Sequence, residues 1–390
     1  MPSSLLPRQR VYSVDVLRGL IMIIMALDHV RDFFHETAMT QDPLDAATTT
    51  PMLYFTRWVT HFCAPLFVLL SGVSVRLMQG RKTTAEISRF LLTRGLWLIL
   101  IEVTVVSFGL TFNPFMNMVI LQVIWAIGVS FVFLSLFVFL PWQAVLGIGL
   151  LIACGHNLLD YYEAQPGFQP GVLWEFAHKT RYTFFQLWPG HGAIVFYPVL
   201  PWIGVMFLGY GIGRVFQADV SAAKRKKILV TAGVSMIALF LVLRGWNIYG
   251  DPRPWAGSFY SFMNVQKYPP SLLFICATIG PGLLALAALE HVRNRFTEVA
   301  KVYGSVPFFY YILHFYLIHS LCVIAFFISG YGANDIVSTE VPFLFRPPAF
   351  GYPLGVTYLV WIAVVAALYR PCKWYSQYKQ THRQWWLSYL

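Results

Sequence analysis

The chain has 390 residues, 57% hydrophobic and only 12% charged, with a mean hydropathy of +0.61. A soluble domain carries roughly a quarter charged residues, so lipid is the main solvent and a soluble enzyme is excluded. The formal charge of +11 would point to nucleic acid in a soluble protein. In a membrane protein it reflects Lys and Arg kept in cytoplasmic loops, and nucleic acid leaves the list of partners.

In chain order, the rule of about 20 apolar residues per crossing gives about ten spans. They cover 14–34, 53–78, 90–110, 117–140, 143–160, 193–214, 228–247, 271–290, 305–328 and 354–370. The first apolar run has no small-residue cleavage site after it, so it reads as a retained helix. Thirteen Trp, 21 Tyr and 33 Phe suit aromatic belts at two interfaces. Cys63, Cys154, Cys276, Cys322 and Cys372 lie in or beside apolar segments without a CxxC pair, which gives neither a disulfide framework nor zinc spacing.

The first span, "SVDVLRGLIMIIMALDHVRDFFH", carries ionisable groups at both ends of an apolar stretch. Asp15 and Arg18 share a face near its start. Asp28 follows 13 residues later, roughly 20 Å along the axis. Asp28, Arg31, Asp32 and His35 form one polar stripe, and His29 projects about 100° away toward a different neighbour. Snorkelling explains Arg31, Asp32 and His35. The short side chains of Asp28 and His29 cannot snorkel far, and intramembrane ionisable groups are functional candidates by default.

The second span opens "YFTRWVTHFCAPLFVLLSG". Arg57 and His61 lie one turn apart on one face, at the depth of His29. Histidine is the natural general base near neutral pH; a buried, hydrogen-bonded structural His is the alternative. In the third span Glu102 is a lone carboxylate. It must be paired, protonated or beside water, and a structural partner for a buried Arg or His is the favoured role. The "PWQ" turn at 141–143 is short enough to join two antiparallel neighbours. Pro189, Gly190, His191 and Gly192 feed a long outer loop into the next helix. The glycines of "GYGIGR" at 209–214 have the spacing of close helix packing, not of a nucleotide loop. The ninth span, "VPFFYYILHFYLIHS", places Tyr310, Tyr311 and His314 within one turn. His319 is five residues on and shares no face with His314, so no metal pair is expected.

Orientation follows from the basic residues. One set of connections holds Arg8 and Arg10; Arg76, Arg81, Lys82 and Arg89; Lys224–Lys227; Arg293, Arg295 and Lys301; and Arg370, Lys373, Lys379 and Arg383. The alternate set is longer, poor in basic residues and rich in Pro, Gly, Asn and aromatics. Both termini are therefore expected in the cytoplasm. No GxSxG, HExxH, Walker loop or internal repeat is present.

The blocks "RVYSVDVLRGLIMIIMALDHVRDFF" and "FTRWVTHFCAPLFVLLSG", with "YPVLPWIGVMFLGYGIG" and "PFFYYILHFYLIH", resemble prokaryotic members of the heparan-alpha-glucosaminide N-acetyltransferase catalytic-domain family. The resemblance implies a transmembrane acyltransferase moving an acyl group from cytoplasmic acyl-CoA to a sugar or glycan. In the related acyltransferase-3 branch a first-helix Arg is followed after ten residues by a catalytic His, and Arg18 and His29 have that spacing. The family's catalytic His is expected further on, in the first outer loop, so His29 and His35 compete for the role.

The expectation is thus an all-α polytopic membrane protein, one domain over 1–390, in a bacterial cytoplasmic membrane. It transfers an acyl group, acetyl first among them, from acyl-CoA as co-substrate, with no permanently bound cofactor and no metal. His29, Asp28, His61 and His35 are the catalytic candidates, and Arg18 with Asp15 holds acyl-CoA, with Arg76 and Arg94 as further phosphate partners. Arg57, Glu102 and His314 are the other intramembrane polar candidates. A homodimer is left open. The alternative is a transporter or flippase using Asp28, His29, Glu102 and His314 as a proton relay.

Overall fold

The computed structural model describes residues 11–179, 183–338, 340–382 and 384–388; Arg8, Arg10 and Arg383 lie outside the described residues. Helix α1 spans Tyr12–Phe34. It is followed by α2 (Pro51–Arg76) and α3 (Thr84–Thr111), α4 (Val123–Phe137), then α5 (Trp142–Glu163), α6 (Val199–Phe216), α7 (Ala222–Gly245) and α8 (Leu272–Leu289). Then come α9 (Arg295–Ser305), α10 (Pro307–Ile328) and α11 (Leu354–Thr381). Among the described residues, eight of these helices are long and apolar enough to cross a membrane. Helix α1, with Asp15, Arg18, Asp28, Arg31 and Asp32, and the 15-residue α4 are not among the eight. The protein is an all-α polytopic membrane protein.

Two helices act as hubs. Helix α1 packs on α2, α8, α9, α10 and α11, and α6 packs on α2, α4 and α5. Helix α2 lies between them and is largely buried. Glycine makes both hubs possible. A Cβ on Gly19 of α1 would lie 1.7 Å from the Ala300 carbonyl oxygen of α9, and one on Gly304 would lie 1.8 Å from that of Asp15. The backbones of α2 and α6 approach as closely, since a Cβ on Gly209 would meet the Leu69 carbonyl oxygen at 2.0 Å. The "GYGIGR" glycines are packing residues, as their spacing suggests.

Several boundaries differ from the sequence reading. Residues Met118–Leu121 (β1) and His191–Val195 (β3) are strands, paired in parallel, and Thr183–Trp188 (β2) adds antiparallel to β3. Pro189 and Gly190, the latter at φ +78°, turn the β2–β3 hairpin; only glycine takes that conformation without strain. A short apolar run continuous with a helix cannot be told from the helix by hydropathy alone, which is why the spans 117–140 and 193–214 start late. Helices α4 and α5, joined by the short turn, both pack on α6. Helix α9 occupies what reads as a basic loop; Asn294 and Thr297 cap its N-terminus reciprocally, a signal present in the sequence. Helix α11 continues through Pro371 to Thr381, eleven residues past the expected end.

Two of the basic residues outside the cytoplasmic set are buried arginines. Arg244 donates to the carbonyls of Phe262 (3.0 Å), Ser261 (2.7 Å) and Asn264 (3.1 Å). Arg346 donates to those of Asp32 (3.2 Å) and His35 (2.8 Å). Each stitches a loop to a helix end. Orientation itself is checked by labelling: a cysteine placed near Lys226 is expected to react with a membrane-impermeant reagent only from the cytoplasm, and one near Gln169 only from outside. Labelling of both from one side would overturn the orientation.

Candidate active site

The two ends of α1 build two different environments. At its first turns Arg18 is held by Asp15 (3.2 Å), Ser74 Oγ (2.8 Å) and the carbonyls of Leu70 and Gly304 (3.4 Å each). Beside this clamp opens a cavity of about 640 Å³, walled by α1, α2, α3, α4, α10 and the C-terminal segment. That volume is in the range of small-molecule sites, about 300–1,000 Å³. Its mouth is basic, with Arg81, Lys82, Arg94 and Lys379, and its depth is apolar, with Met22, Phe67 and Ile124. Asp15 and Arg18 line it as expected, and so does Arg94. Arg76 does not; it is buried against Gln79 and Tyr210.

The cavity reaches Tyr311, whose ring lies 5.5 Å from that of His314. His314 Nε2 in turn lies 2.6 Å from His29 Nδ1, and Phe315 stacks on His29 at 4.3 Å. The neighbour that His29 projects toward is therefore α10. The tautomers follow from the next contact. His314 Nδ1 faces the Tyr311 carbonyl, which can only accept, so Nδ1 carries the proton and Nε2 has the lone pair. His29 must then donate from Nδ1, and its Nε2 keeps an unshared pair. A neutral imidazole with that pair available is a general base.

Asp28 points the other way. Its two oxygens lie 3.0 and 2.8 Å from Arg57 Nη1, and Arg31 Nη2 adds a contact at 3.2 Å. Arg31 also binds Asp32 at 2.5 Å, and Arg57 is steadied by Thr60 Oγ1 at 2.9 Å. His61 is buried edge-on to Phe274, within electrostatic range of Arg57, Lys267 and Asp28. Lys267 is buried, its Nζ 5.0 Å from the centre of the Tyr268 ring, and its charge acts on Asp28, His29 and His61. With Arg31 and Arg57 it gives three cations to the two carboxylates Asp28 and Asp32, a surplus suited to developing negative charge.

Two candidates stand elsewhere. His35 lies past the end of α1, where its Nδ1 faces the backbone N–H (3.3 Å) and hydroxyl (3.1 Å) of Thr37. Burial, with Arg31 nearby, lowers its pKa. Among the described residues Glu102 meets no buried Arg or His: Oε1 accepts the Gln122 backbone N–H at 2.5 Å, at the N-terminus of α4. It caps a helix that begins inside the protein, where the amide groups have no water to bond. His319 lies between the carbonyls of Gly109 (3.1 Å from Nδ1) and Leu344 (2.8 Å from Nε2), and as a neutral ring donates to one of them.

Sequence reasoning missed Lys267, whose signal was a single Lys in "NVQKYPP" within a loop set poor in basic residues. It also missed Arg81, Lys82 and Lys379 as cavity residues, because the inside-positive rule already accounted for them.

A helical membrane bundle with a basic-mouthed cavity that reaches Tyr311, next to a half-buried His29 paired with a buried His314, has the form of an integral membrane enzyme. The chain belongs to the family described as heparan-alpha-glucosaminide N-acetyltransferase, catalytic, whose model matches residues 10–244. The family is one of transmembrane acetyltransferases. A search of curated proteins finds no match. Asp15, Arg18, Asp28, His29, Arg57 and His61 lie inside the matched segment; Lys267 and His314 lie beyond it.

Proposed function

We propose that the protein transfers an acetyl group from cytoplasmic acetyl-CoA to a hydroxyl or amine of a sugar or glycan on the opposite side of the membrane. The observation that carries this reading is a chain of contacts between cavity and base: Tyr311 lines the cavity and packs on His314, and His314 fixes the tautomer of His29. The basic mouth suits the phosphates of CoA, and the apolar depth suits its pantetheine arm. The acceptor would approach from the Asp28 end. His29 Nε2 takes the acceptor's proton as its oxygen or nitrogen attacks the thioester carbonyl. Lys267 and Arg57 stabilise the resulting oxyanion. Its collapse breaks the carbon–sulfur bond, and the thiolate leaves with the proton from His29.

Acceptor-dependent release of CoA from labelled acetyl-CoA tests the reaction. The donor end has its own test. Arg81 and Lys82 are exposed at the mouth, so Arg81→Ala with Lys82→Ala is expected to raise the acetyl-CoA KM about tenfold, the scale of one charged hydrogen bond. The kcat and melting temperature are expected to stay near wild type. Arg18→Ala raises KM too, but also loses stability, because its guanidinium ties α1 to α2 and to Gly304. An unchanged KM in the Arg81/Lys82 variant would place the donor elsewhere.

A further inference from the structure

We infer that Asp160, Glu163 and His178 form a binding site for one divalent transition-metal ion, zinc by the chemistry of its donors, away from the histidine pair. Each residue offers one ligand atom, and these atoms lie within 4.8 Å of one another. Asp160 and Glu163 share a face at the end of α5, three residues apart. His178 follows the short helix Val172–Ala177. His178 Nδ1 is already 3.0 Å from Glu163 Oε1, the separation of two ligands on a tetrahedral zinc, about 3–3.5 Å. Rotation of the Asp160 carboxylate closes the third position.

Two further observations point to an ion. Asp160 Oδ1 is shielded from solvent and accepts no hydrogen bond among the described residues. The His178 and Glu163 side chains are also shielded, 1% and 8% exposed, while Asp160 is half-buried; the rings of Tyr162, Phe168 and Trp174 pack together beside them. Two carboxylates and a histidine brought this close can share one cation. Imidazole with carboxylates suits zinc better than calcium or magnesium, which prefer all-oxygen sets.

The supporting contacts fit a metal site. Trp174 Nε1 donates to Glu163 at 2.7 Å and Asn157 Nδ2 to Asp160 at 2.6 Å, orienting both carboxylates. His156 Nδ1 lies 3.0 Å from His178 Nε2 and fixes that ring from its other side. A bound ion would pin the segment that follows α5 onto the end of that helix. Because Asn157 Oδ1 also accepts the Leu272 N–H at 2.8 Å, it would tie that segment to the start of α8.

The test uses the purified full-length protein with any affinity tag removed. After chelation, reloading with zinc and extensive dialysis, one zinc per chain is expected by elemental analysis. Zinc is expected to raise the melting temperature by about 3–5 °C. Asp160→Asn is expected to weaken zinc at least tenfold, and His178→Ala to return the metal content to background. If either variant fails to fold, cobalt replaces zinc in wild type, where the visible bands of a four-coordinate ion are expected. No retained metal in wild type, undiminished retention in folded His178→Ala, or a six-coordinate cobalt spectrum would overturn the site. The hydrogen-bonded cluster would then be structural by itself.

Discussion

Replacing His29 by alanine is expected to lower kcat at least about 100-fold while the protein still folds and acetyl-CoA KM changes little, because a positioned base contributes typically 10²–10⁴-fold. His29 does not act alone. Its base form depends on His314 Nε2 accepting the proton of His29 Nδ1, which depends on His314 donating to the Tyr311 carbonyl. His314 is a positioning residue, so His314→Ala is expected to lower kcat as well. His314→Gln, whose amide oxygen can accept the same hydrogen bond, is expected to recover part of the loss. A side chain that merely filled space would show no such difference between alanine and glutamine. Wild-type turnover in His29→Ala would move the base to His61 or His35. His61 is the stronger of the two, because His35 is engaged with Thr37 past the end of α1.

The second large effect concerns the fold that places this pair. Gly304→Ala puts a Cβ 1.8 Å from the Asp15 carbonyl oxygen and 2.7 Å from the Gly19 nitrogen. Both are backbone atoms and cannot swing aside, so α9 must move off α1 at a cost of about 3 kcal/mol or more. The expected result is a melting temperature at least about 5 °C lower and poor recovery of monodisperse protein in detergent. Gly147→Ala is the control. Nothing lies within 4 Å of a Cβ there, and alanine is the better helix former. Equal stability of Gly304→Ala and wild type would mean that α1 and α9 cross less closely than described.

The long apolar helices were legible because about 20 apolar residues admit few other structures in lipid. The polarity of α1 was legible for the same reason: Asp28 and His29 are too short to escape the membrane, so each needed a protein partner. Arg57 was legible only as a group near the depth of His29; that it binds Asp28 came from the structure. That His29 would meet His314, 285 residues away, is a matter of helix packing that no local pattern encodes. Glu102 was legible as a buried carboxylate needing a partner, but its partner is the backbone of a neighbouring helix, which has no signature in residue type. The cavity was hidden by a competing explanation. Arg81, Lys82 and Lys379 obey the inside-positive rule whether or not they bind a phosphate. The strands β1 and β3 were hidden because apolar residues entering a helix look like the helix. The group at Asp160, Glu163 and His178 escaped because its spacing matches no metal motif; only the fold of the loop closes it.

The most direct test of the central claim is a sided transfer assay in vesicles. The protein is reconstituted in sealed proteoliposomes and the population with its cytoplasmic face outward is used. Labelled acetyl-CoA is supplied only outside, and a glucosamine-bearing acceptor is trapped only inside. Acetylated acceptor is predicted inside the vesicle, with CoA released outside in equal amount, and both are lost in His29→Ala. Passage of acceptor across the membrane without acetylation and without CoA release would contradict the account and mark the polar groups of α1 as a carrier's relay.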